Sequence, residues 1–283
     1  MRQQRLKAAN DFRTMTDKKT IAVYTKTSRV RGDAGLARLL GDVDADFYDV
    51  GSEDDIREGT DFLMSVGGDG TFLSSARMAC RRGIPVIGVN LGRMGFLSEY
   101  SPEQVVEAFR TGDYSIEERE MLAARIDGME ECYALNEVSL TRIGSAMLGV
   151  DVSLNGVPLP TYWADGLLVA TGSGSTAYSL SAGGPICSPD SKVLVITPVA
   201  PHNLNVRPLV VPSSSVLTLS VRSRDEEVMF TCDNEHHAVG RDVVLSVSLA
   251  QFSLKRLALS GTNFIGALRS KLFWGEDVRN AEP

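Results

Sequence analysis

The chain has 283 residues, of which 43% are hydrophobic and 23% are charged, and its formal net charge is -7. These values are typical of a globular protein that is long enough for two domains, each with its own core. The negative charge argues against nucleic acid or an anionic membrane as a partner, because both require a basic surface.

The sequence also bears on location and redox state. No apolar run approaches the roughly 20 residues that span a bilayer, and the N-terminus lacks the apolar core of a secretory signal. The four cysteines form no CxxC pair, which predicts reduced thiols and no zinc site. We therefore expect a cytoplasmic protein without a metal centre built from its own residues.

The first half alternates short strands with helical patterns. Residues 1–19 are polar and basic, which predicts a frayed extension, with Met15 as an alternative natural start. The predicted strands that follow are Thr20–Tyr24, Phe47–Val50, Phe62–Val66 and Ile84–Asn90. A capping serine, Ser101, begins a further helix. This alternation favours parallel β-structure with crossover helices, so we predict an α/β domain with a Rossmann-like open sheet over residues 20–120.

The pattern changes at about Met121. Short alternating segments such as Val150–Leu154 and Val216–Val221 are separated by turns such as Asn155-Gly156. This spacing is typical of antiparallel sheets. We predict a β-rich second domain over residues 121–261, either all-β or a β-sandwich.

One glycine-rich turn carries a single acid. Gly67-Gly68-Asp69-Gly70-Thr71 follows the apolar strand Phe62–Val66, and apolar residues at helical spacing come after it. Glycines let an anion approach main-chain N–H groups, and a helix N-terminus attracts the same anion. The motif therefore indicates phosphate binding. Taken alone, an ordinary turn in which Asp69 caps the helix is the commoner explanation.

A second glycine-rich run, Thr171–Ser179, follows the predicted strand Gly166–Ala170. Its hydroxyls, main-chain N–H groups and Tyr178 suit a diphosphate, a sugar and a base. A flexible serine-glycine loop would explain the glycines equally well.

Two polar features complete the set of candidates. Asn136-Glu137 interrupts an apolar stretch, where a polar pair is costly unless both side chains have partners. Asn suits an adenine edge and Glu suits ribose hydroxyls, although a strand edge facing water is an equal alternative. Asp165 precedes the strand Gly166–Ala170, where it either anchors a ligand amide or caps a turn.

Together these motifs resemble the NAD kinase family, from about Ile21 to Phe273. Their order and spacing make the resemblance specific. The matching segments are Gly67–Thr71, Asn136-Glu137, Asp165–Thr171, Gly174–Pro185, and Pro201–Leu204 followed by Arg207–Val210.

The resemblance implies transfer of the ATP γ-phosphoryl group to the adenosine 2′-hydroxyl of NAD, with Mg²⁺ or another divalent ion bridging the ATP phosphates. Asp69 would be the general base or would orient the hydroxyl, and Gly70 would lie near the phosphates. The implied NAD contacts are Phe96 and Asn136 at the adenine, Glu137 at the ribose, Asp165, and a cradle of Thr176, Ala177, Tyr178, Ser179, Leu180 and Ser181. The family also implies a homodimer or homotetramer, and a C-terminal segment, residues 262–283, that returns to the first domain.

Some positions depart from the family pattern. Ser74 stands where a basic residue often follows, and we expect Arg77 to take over phosphate contact. Gly172 replaces a proline of many bacterial relatives, and Trp163 replaces an arginine. Asp233-Asn234-Glu235 stands where Asp-Gly-Gln is frequent.

Two rival functions share part of this pattern. Lipid kinases of the diacylglycerol and sphingosine type also carry the GGDGT motif, but lack the Asn-Glu and Thr-Ala-Tyr-Ser motifs at this spacing. A non-catalytic dinucleotide-binding module is the other alternative, since a sensor protein could keep Asp69. The sequence leaves open whether polyphosphate replaces ATP and whether NADH is accepted.

Overall fold

The computed structural model describes residues 18–27, 32–92, 95–261 and 263–273. Most of the predicted extension, with Met15, lies outside these ranges, as do Arg93, Met94 and the last ten residues of the chain. Within the described residues the α-helices are α1 Ala34–Asp42, α2 Asp69–Cys80, α3 Pro102–Thr111, the single turn α4 Tyr178–Ser181, and α5 Phe264–Leu272.

The described strands form two sheets. They are β1 Lys19–Tyr24, β2 Ala45–Val50, β3 Phe62–Val66, β4 Val86–Val89, β5 Tyr114–Ile126, β6 Cys132–Ala134, β7 Glu137–Arg142, β8 Leu148–Leu154, β9 Val157–Pro158, β10 Tyr162–Ala164, β11 Gly166–Thr171, β12 Val193–Val199, β13 Leu209–Pro212, β14 Leu217–Arg222, β15 Glu227–Cys232, β16 Glu235–Gly240 and β17 Val244–Leu259. Along its main path the larger sheet has the order β10-β8-β14-β17-β4-β3-β1-β2, and the smaller sheet has the order β13-β12-β11-β7-β15-β16.

The first half is an α/β layer with helices on both faces, as predicted. Strands β1 to β4 pair in parallel. Successive residues of β3 belong to different cores: Leu63 packs with α2, whereas Phe62 and Met64 pack with α1 and α3. Because neighbouring strand residues point to opposite faces, the helices must cover both sides of this sheet.

The second half is a β-sandwich, also as predicted. The smaller sheet is antiparallel throughout. Its residues Val138 and Leu167 share one core with Val150 and Leu245 of the larger sheet. The long strand β17 pairs with β14 through its first part and meets β4 at Arg256, so the larger sheet continues from one half of the chain into the other.

Local sequence signals explain several boundaries. Ser101 and Gln104 cap the start of α3 reciprocally, and Gly112 ends it with a φ of 73°. Strand β4 is shorter than the predicted Ile84–Asn90, because Pro85 has no N–H for the ladder. Helix α1 was not predicted individually, although Asp33 caps it through two main-chain N–H groups.

The strand order places a crevice beside the glycine turn. The chain runs from β1 outward to β2 and then returns to β3 on the other side of β1. Ligands of open α/β sheets bind at the carboxyl ends of the strands where the order reverses in this way. The turn that begins at Gly67 follows β3 at this point. Within the described residues, no helix is both long and apolar enough to cross a bilayer.

Candidate active site

The three glycines of the turn differ in whether the structure leaves room for a side chain. Gly67 has a φ of 148°, and a Cβ built there would lie 2.6 Å from Oγ1 of Thr71. A Cβ at Gly68 or Gly70 would meet nothing within 4 Å in the described structure outside its immediate chain neighbours and helix backbone. The fold therefore requires the first glycine, whereas the other two leave open space at the N-terminus of α2.

Asp69 is held by the loop that follows β4. Its Oδ1 accepts hydrogen bonds from the main-chain N–H groups of Leu97 at 3.0 Å and Ser98 at 2.9 Å, and its Oδ2 accepts one from Phe96 at 2.9 Å. A carboxylate has about four lone-pair positions. One position of Oδ2 is thus left for a further donor, such as a substrate hydroxyl.

Gly95 makes this grip possible. A Cβ at Gly95 would overlap the Asp69 carboxylate. The acid and the loop before Phe96 therefore approach each other more closely than any side chain at Gly95 would permit.

Asn136 and Glu137 are both buried, and the carboxylate of Asp233 holds the main chain of both residues. The Asp233 carboxylate accepts hydrogen bonds from the main-chain N–H groups of Leu135 at 2.8 Å, Asn136 at 2.8 Å and Glu137 at 3.2 Å. Asp233 has a φ of 49°, a left-handed conformation that Asp tolerates better than most residues. The strand β7 therefore begins at a position determined by the β15–β16 turn.

Burial is the largest cause of the raised pKa values of Glu137 and Asp233. It raises the pKa of Glu137 to about 8, with a further contribution from the Asp233 charge and a small opposing one from the Tyr178 main-chain N–H. It also raises the pKa of Asp233 to about 6, against the opposing effect of its three N–H donors. Oε2 of Glu137 is buried with no hydrogen-bond partner among the described residues. A bound ligand could supply that partner.

The residues after Asp233 contact the Asp69 helix. Nδ2 of Asn234 donates to the Gly70 carbonyl and to Oγ of Ser74, both at 3.2 Å. Glu235 forms a 2.5 Å ion pair with Arg77, one turn farther along α2. The predicted phosphate contact Arg77 is thus paired with a carboxylate in this structure.

The second glycine-rich run packs against Asn136. A Cβ at Gly174 would overlap the Asn136 main chain, and the Thr171 hydroxyl donates to the Leu135 carbonyl at 2.6 Å. Ser179 is buried and shares a hydrogen bond of 2.9 Å with Thr197. The ring-bearing Tyr178 is 40% exposed. Of the remaining predicted cradle residues, Thr176, Ala177 and Leu180 are half-buried and Ser181 is exposed.

Two cavities adjoin these residues. A small one of about 70 Å³ is lined by both Phe96 and Thr176. A larger one of about 600 Å³ is lined by Ser74, Arg77 and Glu235, together with Tyr24 at the end of β1. Hydrogen bonds through Asp233 and Asn234, and the small cavity, thus link the predicted residues at positions 69, 70, 96, 136, 137 and 176, whereas Arg77 lies in the last turn of α2.

Asp165 lies apart from that set. It precedes β11, whereas Thr171 ends the same strand, which places the two roughly 20 Å apart at a strand rise of about 3.3 Å per residue. Nε of Arg142 donates to Asp165 at 2.7 Å, and this contact lowers the pKa of the half-buried carboxyl. Asp165 instead lines a third cavity, of about 1160 Å³, with Trp163 and His202.

The C-terminal helix reaches the Phe96 loop. Nζ of Lys271 on α5 lies 5.0 Å from the centre of the Phe96 ring and 3.0 Å from Oε1 of Glu99. Arg256 of β17 pairs with the same carboxylate at 2.6 Å. Residues distant in sequence thus support the loop that holds Asp69.

Three features of the site were not found from the sequence. The N–H donors of residues 96–98 carry no side-chain signature, and the grip of Asp233 on β7 depends on tertiary structure. The Asn234 contacts likewise had no sequence signal except that residues 233–235 depart from a familiar pattern. Among the described residues, no group of three or more His, Cys, Asp or Glu side chains is arranged to hold a metal ion.

Comparisons with known proteins agree with this architecture. The model of the ATP-NAD kinase N-terminal domain matches residues 3–111, and that of the ATP-NAD kinase C-terminal domain matches residues 135–258. A curated NAD kinase of Bacteroides fragilis is 43% identical over 226 residues, covering 77% of this chain and 78% of the relative. One from Porphyromonas gingivalis is 41% identical over 243 residues, covering 83% and 84%.

Solved structures show the same fold. Yeast NADH kinase complexed with NADH superimposes with a TM-score of 0.84 at 22% identity, covering 95% of this chain and 91% of that chain. An NAD kinase from Archaeoglobus fulgidus in complex with ATP has a TM-score of 0.71 at 27% identity, covering 90% and 99%. With two family domains matched and curated relatives above 40% identity over most of its length, the chain belongs to the NAD kinase family.

Proposed function

We propose that this protein transfers the γ-phosphoryl group of ATP to the adenosine 2′-hydroxyl of NAD, forming NADP and ADP. The curated relatives named NAD kinase support the reaction, and the Archaeoglobus structure with ATP supports the donor. The single observation that carries the proposal is the Asp69 carboxylate, which keeps one lone pair of Oδ2 beside a set of dinucleotide-binding candidates.

In this proposal Asp69 orients the 2′-hydroxyl and accepts its proton as the hydroxyl oxygen attacks the γ-phosphorus. A P–O bond forms to the ribose as the bond to ADP breaks. Phosphoryl transfer depends mainly on alignment and charge neutralisation, so one well-held acid is chemically sufficient. The grip of three N–H groups limits the movement of the carboxylate, which favours alignment.

The NAD side is proposed to lie between Phe96 and the cradle formed by residues 176–181. Asn136 would pair with the adenine edge. The buried Oε2 of Glu137, which lacks a partner in the described structure, would bond a ribose hydroxyl. Asp165 lies too far along β11 to reach the same atoms, so we assign it to a more distant part of NAD.

The donor side is proposed to be the cavity of about 600 Å³ at the strand-order reversal. Gly70 would let the phosphates approach the N-terminus of α2, where main-chain N–H groups point toward an anion. Arg77 lines this cavity but is paired with Glu235, so a phosphate would have to exchange with that carboxylate. Mg²⁺, or another divalent ion, would arrive bound to the ATP phosphates as part of the substrate, neutralising their charge.

Assembly and location are further parts of the proposal. Exposed apolar side chains on the β-rich half, including Leu204 at 84% and Val157 at 63% exposure, suit a homodimer or homotetramer. All four cysteines are free thiols, which suits the reducing cytoplasm. Light scattering of the purified protein would test the first point.

One assay separates the proposal from its rivals. Purified protein is incubated with NAD, ATP and Mg²⁺, and NADP is detected with an NADP-specific dehydrogenase; parallel reactions contain diacylglycerol or sphingosine. We expect NADP and no phosphorylated lipid. Lipid phosphorylation without NADP would identify a lipid kinase, and NAD binding without turnover would identify a non-catalytic module.

A further inference from the structure

Three consecutive residues contact three different parts of the candidate site. Asp233 accepts hydrogen bonds from the N–H groups of residues 135–137, Asn234 donates to Gly70 and Ser74, and Glu235 pairs with Arg77. Asp233 and Asn234 form the tight turn between β15 and β16, and Glu235 is the first residue of β16. Within the described structure this turn hydrogen-bonds to both the start of β7 and the first turn of α2, and Leu135 adds apolar packing against Phe72 of the same helix.

The hydrogen-bond network determines the orientation of the Asn234 amide. The Gly70 carbonyl can only accept, so the NH₂ group must face it, and the second hydrogen of that group reaches Oγ of Ser74. Oδ1 of Asn234 is buried without a partner in the described residues. Burying that unpaired oxygen destabilises the folded state. The stabilising contribution of the Asn234 side chain therefore comes from the two hydrogen bonds that its NH₂ group donates.

Asp69 and Gly70 are adjacent, so a bond to the Gly70 carbonyl also restrains the acid. Asp233, which precedes Asn234 in the β15–β16 turn, accepts hydrogen bonds from the main-chain N–H groups of Asn136 and Glu137. The distance between the proposed base and the proposed NAD contacts therefore depends on this short turn.

We propose that the turn Asp233–Glu235 is a positioning element for phosphoryl transfer, in which Asn234 fixes the first turn of the Asp69 helix against the strand that carries Glu137. This inference rests on the proposed function for its kinetic consequence only. Asn234 need not touch a substrate; it acts through Gly70 and Ser74.

The test uses a substitution that keeps the shape of the side chain and replaces its hydrogen-bond donor with an acceptor. Asn234→Asp keeps the size of the side chain and the turn preference, but places an acceptor against the Gly70 carbonyl. The Ser74 hydroxyl can reverse and donate to the new carboxylate, but the bond to the Gly70 carbonyl is lost and replaced by repulsion between two acceptors. We therefore expect kcat to fall about tenfold or more, with the KM for NAD within about twofold of wild type. Asn234→Ala should lower kcat less than Asn234→Asp, because it removes the donor without adding repulsion.

Asn155 provides the matched control. It also lies in a hairpin turn with a φ of 51°, but its Oδ1 accepts a hydrogen bond from the N–H of Val216 at 2.8 Å. Asn155→Asp keeps that acceptor, so kcat and KM should stay at wild-type values. A similar loss of kcat in both variants would mean that any asparagine-to-aspartate change in a turn harms the enzyme, and would overturn the inference.

Amide hydrogen exchange of residues 69–78 supplies a readout that does not require turnover. We expect Asn234→Asp to accelerate exchange in this segment by about tenfold relative to wild type and Asn155→Asp, because the first turn of α2 loses a restraint. Unchanged exchange together with unchanged kcat would overturn the inference. If wild-type protein forms no NADP while the exchange result holds, the proposed function fails and the positioning contact stands.

Discussion

The main-chain N–H of Phe96 donates to Oδ2 of Asp69 at 2.9 Å, which joins the acid of the glycine turn to the loop of a different strand. The two residues were assigned separately from the sequence, one to chemistry and one to adenine binding. Their contact means that a change near Phe96 alters the acid directly.

Replacing Gly95 tests this relationship. Gly95→Ala places a methyl group where the Asp69 carboxylate lies, so the acid must move. A displacement of about 1 Å at a reacting group costs roughly 100-fold in rate, and we expect kcat to fall by that order. Overpacking should also lower the free energy of unfolding by about 1–3 kcal/mol.

The control for this change is Gly92→Ala in the same loop. Among the described residues beyond its chain neighbours, a Cβ at Gly92 would meet only Oδ1 of Asn90, at an ordinary 3.9 Å. Its kcat should remain close to wild type in the same NADP assay. Equal losses in Gly92→Ala and Gly95→Ala would refute a specific contact with Asp69.

Gly70 should show opposite effects on stability and activity. With respect to the residues that the structure describes, its Cβ would meet open space, and alanine within a helix is more favourable than glycine by about 0.5–1 kcal/mol. Gly70→Ala should therefore leave the unfolding free energy unchanged or raised, while the new methyl group blocks the phosphates and lowers kcat/KM for ATP at least about tenfold. Thermal unfolding and steady-state kinetics measure the two effects.

Gly41 lies in α1, away from the site, and its Cβ would also meet nothing within 4 Å in the described part of the chain. Gly41→Ala should give a similar stability change with normal kinetics. If Gly70→Ala retained full activity, phosphate approach over Gly70 would be disproved.

Glu137 should make stability depend on pH. Its folded pKa of about 8 lies above the ordinary value of 4.5, so the folded state binds more protons than the unfolded state between these values. Stability contributed by this group therefore falls as pH rises from about 4.5 to 8. Glu137→Gln removes the ionisation and should gain about 4 kcal/mol over wild type between pH 5 and pH 9, since each pKa unit is about 1.4 kcal/mol.

Urea unfolding of both proteins at the two pH values measures this difference. Asp233 remains in both proteins and titrates mainly below pH 7, since its pKa is about 6. Parallel stability curves for wild type and Glu137→Gln would show that Glu137 ionises without penalty.

Much of the fold could be predicted because local and tertiary preferences agree. The apolar strand Phe62–Val66 is buried along its whole length, and the Ser101–Gln104 pair caps α3 as its sequence indicates. Helix α1 escaped individual prediction, since two glycines interrupt its apolar spacing, although Leu36 and Leu39 do pack into the core. The continuation of the larger sheet through β17 depends on a pairing between Arg256 and Val86, which no local pattern reveals.

The sequence indicated those parts of the candidate site that are formed by side chains, but not those formed by main-chain groups. Asp69, Asn136 and Glu137 were singled out because polar residues interrupt apolar or glycine-rich segments. The supporting contacts were hidden because they join positions far apart in sequence through main-chain groups: Asn234 and Gly70 are separated by 164 residues. Arg77 was proposed because Ser74 stands where the family often has a basic residue, whereas its partner Glu235 became apparent only in three dimensions.

The most direct test of the central claim is NADP formation by Asp69→Asn compared with wild type, with NAD binding measured by calorimetry on both proteins. Asparagine keeps an oxygen for Leu97 and Ser98 but turns an NH₂ group toward the N–H of Phe96, so it loses both the base and one hydrogen bond. We predict that NADP formation falls at least about 1,000-fold, a loss typical of removing a general base plus its alignment, while NAD still binds. NADP formation at the wild-type rate by Asp69→Asn would contradict the role assigned to Asp69.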